Sequence, residues 1–254
     1  MDVSGKTAIV TGSAVGVGRA VALDLAGRGA NVVINYSRSE DEARQTLADV
    51  EALGAKTLLA RADVSQDDQV RDMVNETLGR FGAVDILVNN AGITYFVDFD
   101  DLEGLTEEMW DRILAVNVKG VFFCSRAVVP PMKRQGDGCI VNISSVAGIR
   151  AVGSSIAYGA SKAAVIYMTG AFARTFAPEV RVNCVAPGFI DTRWHQSRMG
   201  SSEYEAFKAA VGRMTPLGRI CTPEDVSRAV LDFVEAEMVT GQTLLVDGGI
   251  ALGR

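Results

Sequence analysis

Short apolar runs alternate with longer helical patterns along the whole chain, and that alternation constrains the fold more than any other feature. The runs are Thr7–Val10, Asn31–Asn35, Thr57–Arg61, Ile86–Asn89, Cys139–Ile143, Val180–Val185 and Thr243–Val246. Most are continuously apolar, as strands buried on both faces must be. Between them, Gly18–Arg28, Glu40–Leu53, Gln66–Arg80, Glu107–Val116, Val121–Arg134 and Ala157–Phe176 carry apolar residues at helical spacing. A further helix starts at Pro223, with Thr222 as its N-cap. Strand–helix repetition with right-handed crossovers gives an α/β fold: a doubly wound parallel sheet of about seven strands, helices on both faces.

No linker, low-complexity stretch or charge run divides the chain, so residues 1–254 are expected to form a single domain. The segment 192–216 stands apart. It is polar, contains Trp194, His195, Met199 and Gly200, and follows a strand ending in Pro187-Gly188. It reads as a mobile cover over a site at the C-terminal ends of the strands.

Composition narrows the partners. With 48% hydrophobic and 22% charged residues, the chain has enough apolar material for a large core without disulfides or metal. A net charge of −6 argues against nucleic acid or an anionic membrane as partner. Cys124, Cys139, Cys184 and Cys221 form no C-x-x-C pair and read as small buried hydrophobes. No signal peptide is visible at the N-terminus, and the continuous apolar runs are shorter than the ~20 residues of a membrane span. A cytoplasmic location is therefore expected. No His/Cys/Asp/Glu cluster has ligand spacing, so no catalytic metal is expected.

Thr11-Gly-Ser-Ala-Val-Gly-Val-Gly18 follows the first strand and opens the first helix. Gly12, Gly16 and Gly18 suit a tight turn beside a pyrophosphate, with the helix N-terminus facing the phosphates. The spacing G-x-x-x-G-x-G differs from the common dinucleotide fingerprint. An acidic residue at the end of the second strand would hold the adenosine ribose of NAD. The chain has Asn35-Tyr36-Ser37-Arg38 there, so Ser37 and Arg38 point to a 2′-phosphate and favour NADP, with NAD possible.

Tyr158 and Lys162, four apart in a helical pattern, share one face. An ammonium near a phenol would stabilise its phenolate, giving a pair that can exchange a proton with an alcohol. Asn89-Asn-Ala-Gly92, Ile143-Ser-Ser-Val-Ala-Gly148 and Pro187-Gly188 each end a strand, and in an open parallel sheet these ends meet where ligands bind.

Together these motifs make the chain resemble the short-chain dehydrogenase/reductases of the short, single-domain branch. The likeness runs through Thr11–Gly18, Asp63-Val64, Asn89–Gly92, Asn117, Ser144-Ser145, Tyr158-Gly-Ala-Ser-Lys162, Pro187-Gly188 and the ending Thr240–Gly249. It implies an oxidoreductase moving a hydride between a nicotinamide and a small alcohol or ketone. Tyr158 would be the acid/base, and Lys162 would bind the nicotinamide ribose and lower the tyrosine pKa. Ser145, thirteen residues before Tyr158, would hold the substrate oxygen, with Ser144 as the alternative. Asn117 would hold a water in a proton relay. The cofactor would meet Gly12, Ser13, Val15, Gly16, Val17, Gly18, Ser37, Arg38, Asp63, Val64, Asn89, Ala91, Tyr158, Lys162, Pro187, Gly188, Ile190 and Thr192. The resemblance also implies a homotetramer or homodimer.

Phe96 and Trp194, near strand ends, are candidates to line an apolar pocket, whereas Trp110 reads as core. His195, the only histidine, reads as a surface residue. Tyr95–Gly104 is longer and more acidic than this loop commonly is in the family, which argues against an acidic carrier protein as partner. The alternatives are a 3-oxoacyl thioester reductase of fatty-acid type and a non-catalytic NAD(P)-sensing regulator. The latter is disfavoured because both Tyr158 and Lys162 are kept.

Overall fold

The computed structural model describes residues 1–192, 194 and 200–252. His195 and Met199 lie outside them. Seven strands form one sheet: β1 (Thr7–Val10), β2 (Asn31–Tyr36), β3 (Thr57–Arg61), β4 (Ile86–Asn89), β5 (Gly138–Ile143), β6 (Val180–Pro187) and β7 (Thr243–Val246). Their order is β3-β2-β1-β4-β5-β6-β7, with every pairing parallel. The chain moves outward from β1 to β3, returns to β4 beside β1, and moves outward the other way. The reversal between β1 and β4 opens a crevice at the strand ends.

Strand alternation sorts the core into two layers. Ala8 and Val10 face one side with Cys139, Val141 and Ile143, and Ile9 faces the other with Ile140. The first layer is closed by α1 (Gly16–Gly27), α2 (Glu40–Ala52) and α8 (Pro223–Glu235), the second mainly by α3 (Asp67–Phe81), α5 (Gly120–Gln135) and α6 (Ile156–Phe176). Thr222 and Asp225 form a complete capping box at α8. All four cysteines are buried and unpaired.

Two elements depart from the sequence reading. The pattern Glu107–Val116 ends as α4 (Glu107–Leu114), and a π-helical turn, Ala115–Lys119, joins it directly to α5. The continuous helix Glu107–Gln135 has 29 residues and would be long and apolar enough to cross a membrane by length and composition alone. Half of its most apolar window is buried, and Cys124, Val128 and Met132 pack with Val70 and Met73 of α3. The polar segment 192–216 contains a helix, α7 (Ser201–Met214), which buries Tyr204 and Val211.

The two strands flanking the crevice are tied together. The Thr11 hydroxyl accepts from the backbone N–H of Asn90 and of Ala91, both at 3.0 Å. The Asn90 amide donates to the carbonyls of Thr11 at 2.9 Å and Gly12 at 3.1 Å. Gly18 lies beneath this brace: a Cβ there would stand 2.5 Å from both Asn90 Nδ2 and the Gly12 carbonyl oxygen. Gly18→Ala is expected to displace the brace, destabilise the fold by about 1–3 kcal/mol and weaken dinucleotide binding. Denaturant titration and cofactor titration of the variant would check this, and wild-type values in both would refute the packing role.

Candidate active site

The crevice is one cleft of about 1190 Å³, above the ~300–1,000 Å³ usual for a small-molecule pocket. Gly12, Val15, Gly16 and Val17 form one wall, and Pro187, Gly188, Ile190 and Thr192 form the opposite one. Gly12 and Gly16 hold φ of +63° and +58°, which L side chains rarely adopt. A Cβ on Gly16 would meet only the Thr192 methyl, at 3.7 Å, so that turn faces across the opening. The Asn35 amide fixes the turn from behind: its Oδ1 accepts from Gly12 N–H at 3.0 Å, and its Nδ2 donates to the Ala60 and Ala62 carbonyls. Bare backbone at a helix N-terminus, bordered by small side chains, fits a dinucleotide pyrophosphate.

Further along, Ser37 and Arg38 sit exposed at the rim, and Asp63, Val64 and Ala91 also line the cleft. The Asp63 carboxylate accepts from the Arg112 guanidinium at 2.9 Å and from the Ser65 hydroxyl at 2.7 Å. Burial acts to raise its pKa, but these hydrogen bonds outweigh it and hold the carboxyl below the usual range. Arg112 carries no sequence signal beyond its place in a helical pattern.

Three chemically useful side chains meet at the other end. Ser155 caps α6 by accepting from Tyr158 N–H at 3.2 Å, setting the helix register that puts Tyr158 and Lys162 on one face. Lys162 Nζ donates to the Ile143 carbonyl at 3.0 Å and lies 5.6 Å from the Tyr158 ring centroid. Ser145 extends from β5, its hydroxyl accepting from Ala147 N–H at 3.1 Å. The two adjacent serines differ in their bonding. Ser144 is buried and gives its hydroxyl to the Lys162 carbonyl at 2.7 Å, whereas Ser145 lines the cleft beside the Tyr158 phenol.

Three residues expected to touch the cofactor, and Asn117, expected to hold a water, stand behind the wall. Ser13 is fully buried, its hydroxyl accepting from Asn35 N–H at 3.0 Å, so it pins the glycine turn to β2. Gly18 packs under Asn90. The Asn89 side chain turns inward, donating to the Ser125 hydroxyl and to Asn142 Oδ1. Its neighbour Asn90, in the same motif, is the one on the cleft wall. Asn117 spends both amide protons on the Ile93 carbonyl and the Ser161 hydroxyl, and its Oδ1 accepts from Ile93 N–H. A water held by Asn117 would have to rest on Asn117 Oδ1 or on its backbone. Phe96 and Trp194 do line the cleft, while Trp110 is half-buried away from it.

Burial dominates the electrostatics of both groups. Burial pushes the Tyr158 phenol up to about 12, and the Ser145 hydrogen bond only partly offsets it. Burial pulls the Lys162 ammonium down to about 8, against a smaller opposing effect of Cys184. Desolvation of the phenolate is thus the dominant influence on Tyr158.

The chain is similar to known proteins over nearly its whole length. A family model described as enoyl-(acyl carrier protein) reductase matches residues 12–251. A Streptomyces violaceoruber protein named as a ketoacyl reductase of the granaticin polyketide synthase is 43% identical, covering 96% of each chain. A Staphylococcus epidermidis 3-oxoacyl-acyl-carrier-protein reductase is 38% identical, covering 96% of this chain and 98% of its own. The structure of a Burkholderia cenocepacia gluconate 5-dehydrogenase, in complex with NADP and tartrate, superposes with a TM-score of 0.89 at 33% identity, covering 99% of this chain and 97% of its own. The seven-stranded parallel sheet and the cleft at its reversal are those of a Rossmann-type oxidoreductase. The chain belongs to the short-chain dehydrogenase/reductase family.

The buried lysine makes stability depend on pH. Unfolded, Lys162 holds its proton up to about 10.5 and folded only up to about 8. Below pH 8 the native state bears the full cost of a buried ammonium, roughly 3 kcal/mol for a shift of this size. Between the two values the unfolded state binds more protons, so this cost falls as pH rises. Without cofactor, Lys162→Met should be more stable than wild type at pH 7 by ~1–3 kcal/mol, allowing for the lost Ile143 hydrogen bond. Denaturant titrations at pH 7 and 10 should show that gap narrowing, and a pH-independent gap would refute it.

Proposed function

We propose that the protein interconverts an alcohol and a ketone on a small substrate with a nicotinamide dinucleotide, NADP(H) in preference to NAD(H). The observation that carries this reading is the meeting of Ser145, Tyr158 and Lys162 at the end of the cleft whose other end is the glycine turn. A nicotinamide held in the cleft would supply or accept the hydride. The Ser145 hydroxyl donates to the substrate oxygen and holds it against the Tyr158 phenol. A phenol pushed up to about 12 keeps its proton at neutral pH, so in reduction it is charged to protonate the developing alkoxide. The resulting phenolate lies beside the Lys162 ammonium, whose attraction strengthens as water is excluded. In oxidation the same groups run in reverse.

NADP preference rests on what ends β2. Tyr36 stands where a carboxylate would bind ribose hydroxyls and repel a 2′-phosphate, and it is buried. Ser37 and Arg38 follow at the rim. A second reading, reduction of 3-oxoacyl thioesters, is favoured by the names of the curated relatives.

Tyr158→Phe should lower kcat by ~10²–10⁴-fold with cofactor binding retained. Near wild-type turnover of a verified substrate would exclude Tyr158 as the acid/base. Arg38→Ala should weaken NADPH by about tenfold, the lower end for a charge-assisted hydrogen bond, because Arg38 is exposed. NADH should be affected far less. Titration of both cofactors checks this, and equal losses would mean that Arg38 does not read the phosphate.

A further inference from the structure

The part of the cleft beyond Tyr158 has its own chemistry. The strand-end loop carrying Phe96 and Phe99 is clipped to the loop before α6, Val97 N–H donating to the Ser154 carbonyl at 2.9 Å. That clip brings the loop beside Val152 and Gly153, and a Cβ on Gly153 would lie 3.6 Å from the Tyr158 ring. Trp194 stands edge-on to Tyr158, ring centroids 6.4 Å apart at 74°. Phe207 reaches in from α7 and meets Phe189 at 5.2 Å. Phe99, Val152, Trp194 and Phe207 are all exposed large apolar side chains on this wall.

The polar groups here are largely engaged within the protein. Thr94 and Ser154 hydrogen-bond each other through their hydroxyls. Arg150 donates to the Ala251 carbonyl. Asp191 is held by Tyr204 at 2.7 Å and by Lys208. Asp98 and Arg150 stand exposed at the mouth with opposite charges, so the mouth favours neither an anion nor a cation. A polyhydroxylated substrate would lose its water-facing hydrogen bonds against aromatic walls. A bulky apolar one would gain by displacing water from them.

Resting on the oxidoreductase reading above, the geometry points to a bulky, uncharged, apolar cyclic ketone as the substrate class, with Trp194 as the residue that selects it. Its ring system lies between Trp194 and the Phe96–Val152 wall, and its carbonyl meets Ser145 and Tyr158. Trp194 acts on substrate affinity rather than on proton transfer.

The test is NADPH oxidation by the full chain with four carbonyls: 2-tetralone, ethyl acetoacetate, fructose and acetoacetyl-coenzyme A. The expected result is a kcat/KM for 2-tetralone at least tenfold above each of the others, in the range that apolar pocket contacts supply. Trp194→Ala should raise KM for 2-tetralone at least tenfold more than KM for ethyl acetoacetate, with a smaller change in kcat. Trp194→Phe should restore most of the discrimination. Preference for fructose or for the anionic thioester, or equal losses on all substrates in Trp194→Ala, would overturn the inference and leave the oxidoreductase reading standing. Absence of turnover with every carbonyl, using NADPH and NADH, would overturn both.

Discussion

The site depends on the cross-brace between Thr11 and Asn90. A parallel sheet that reverses its winding leaves a gap between two neighbouring strand ends, and nothing in the sheet ladder itself sets the shape of that gap. Here one hydroxyl accepts two backbone N–H groups and one amide satisfies two carbonyls, so four backbone groups at the reversal are paired across it. Because those groups are at most part-exposed, leaving them unpaired would cost more than their net hydrogen-bond energy. The glycine turn and the Asn90–Gly92 strand end are thus held as one rigid edge.

Behind that edge, buried polar side chains hold position where apolar ones could not. Asn89 links to Asn142, and Asn142 donates to the Thr169 hydroxyl on α6. Asn117 clamps both backbone groups of Ile93 and donates to Ser161 on the same helix. Ser144 donates to the Lys162 carbonyl. Three separate contacts therefore fix α6 against the strand ends. The phenol and ammonium it carries are placed by directional bonds rather than by packing alone. Directionality matters because a hydroxyl must meet a substrate oxygen within hydrogen-bond distance to transfer a proton.

The cleft divides its labour along its length. The glycine-turn end offers bare backbone, and the far end offers aromatic side chains. Between them, burial shifts a phenol upward and an ammonium downward. Desolvation there is costly to the native state, and the same desolvation strengthens each electrostatic contact made when ligands exclude the remaining water. Holding both groups out of water thus costs some stability.

The sequence by itself determined the strands, the layered fold and most of the helices, because continuous apolar runs and 3.6-residue periodicity are local signals. It also determined the pairing of Tyr158 with Lys162, since residues four apart on one helix share a face whatever surrounds them. Three things escaped it. The helix Ser201–Met214 sits in a segment whose polar composition masks its few core contacts at Tyr204 and Val211. The inward turn of Ser13 and Asn89 and the outward turn of Asn90 are set by which neighbours offer hydrogen-bond partners, and those neighbours are distant in sequence. The sign of the Tyr158 shift depends on how much water the folded cleft excludes. Composition and spacing report what each residue can do, but desolvation and hydrogen-bond partnership are properties of the surroundings, which exist only once strands far apart in the chain lie side by side.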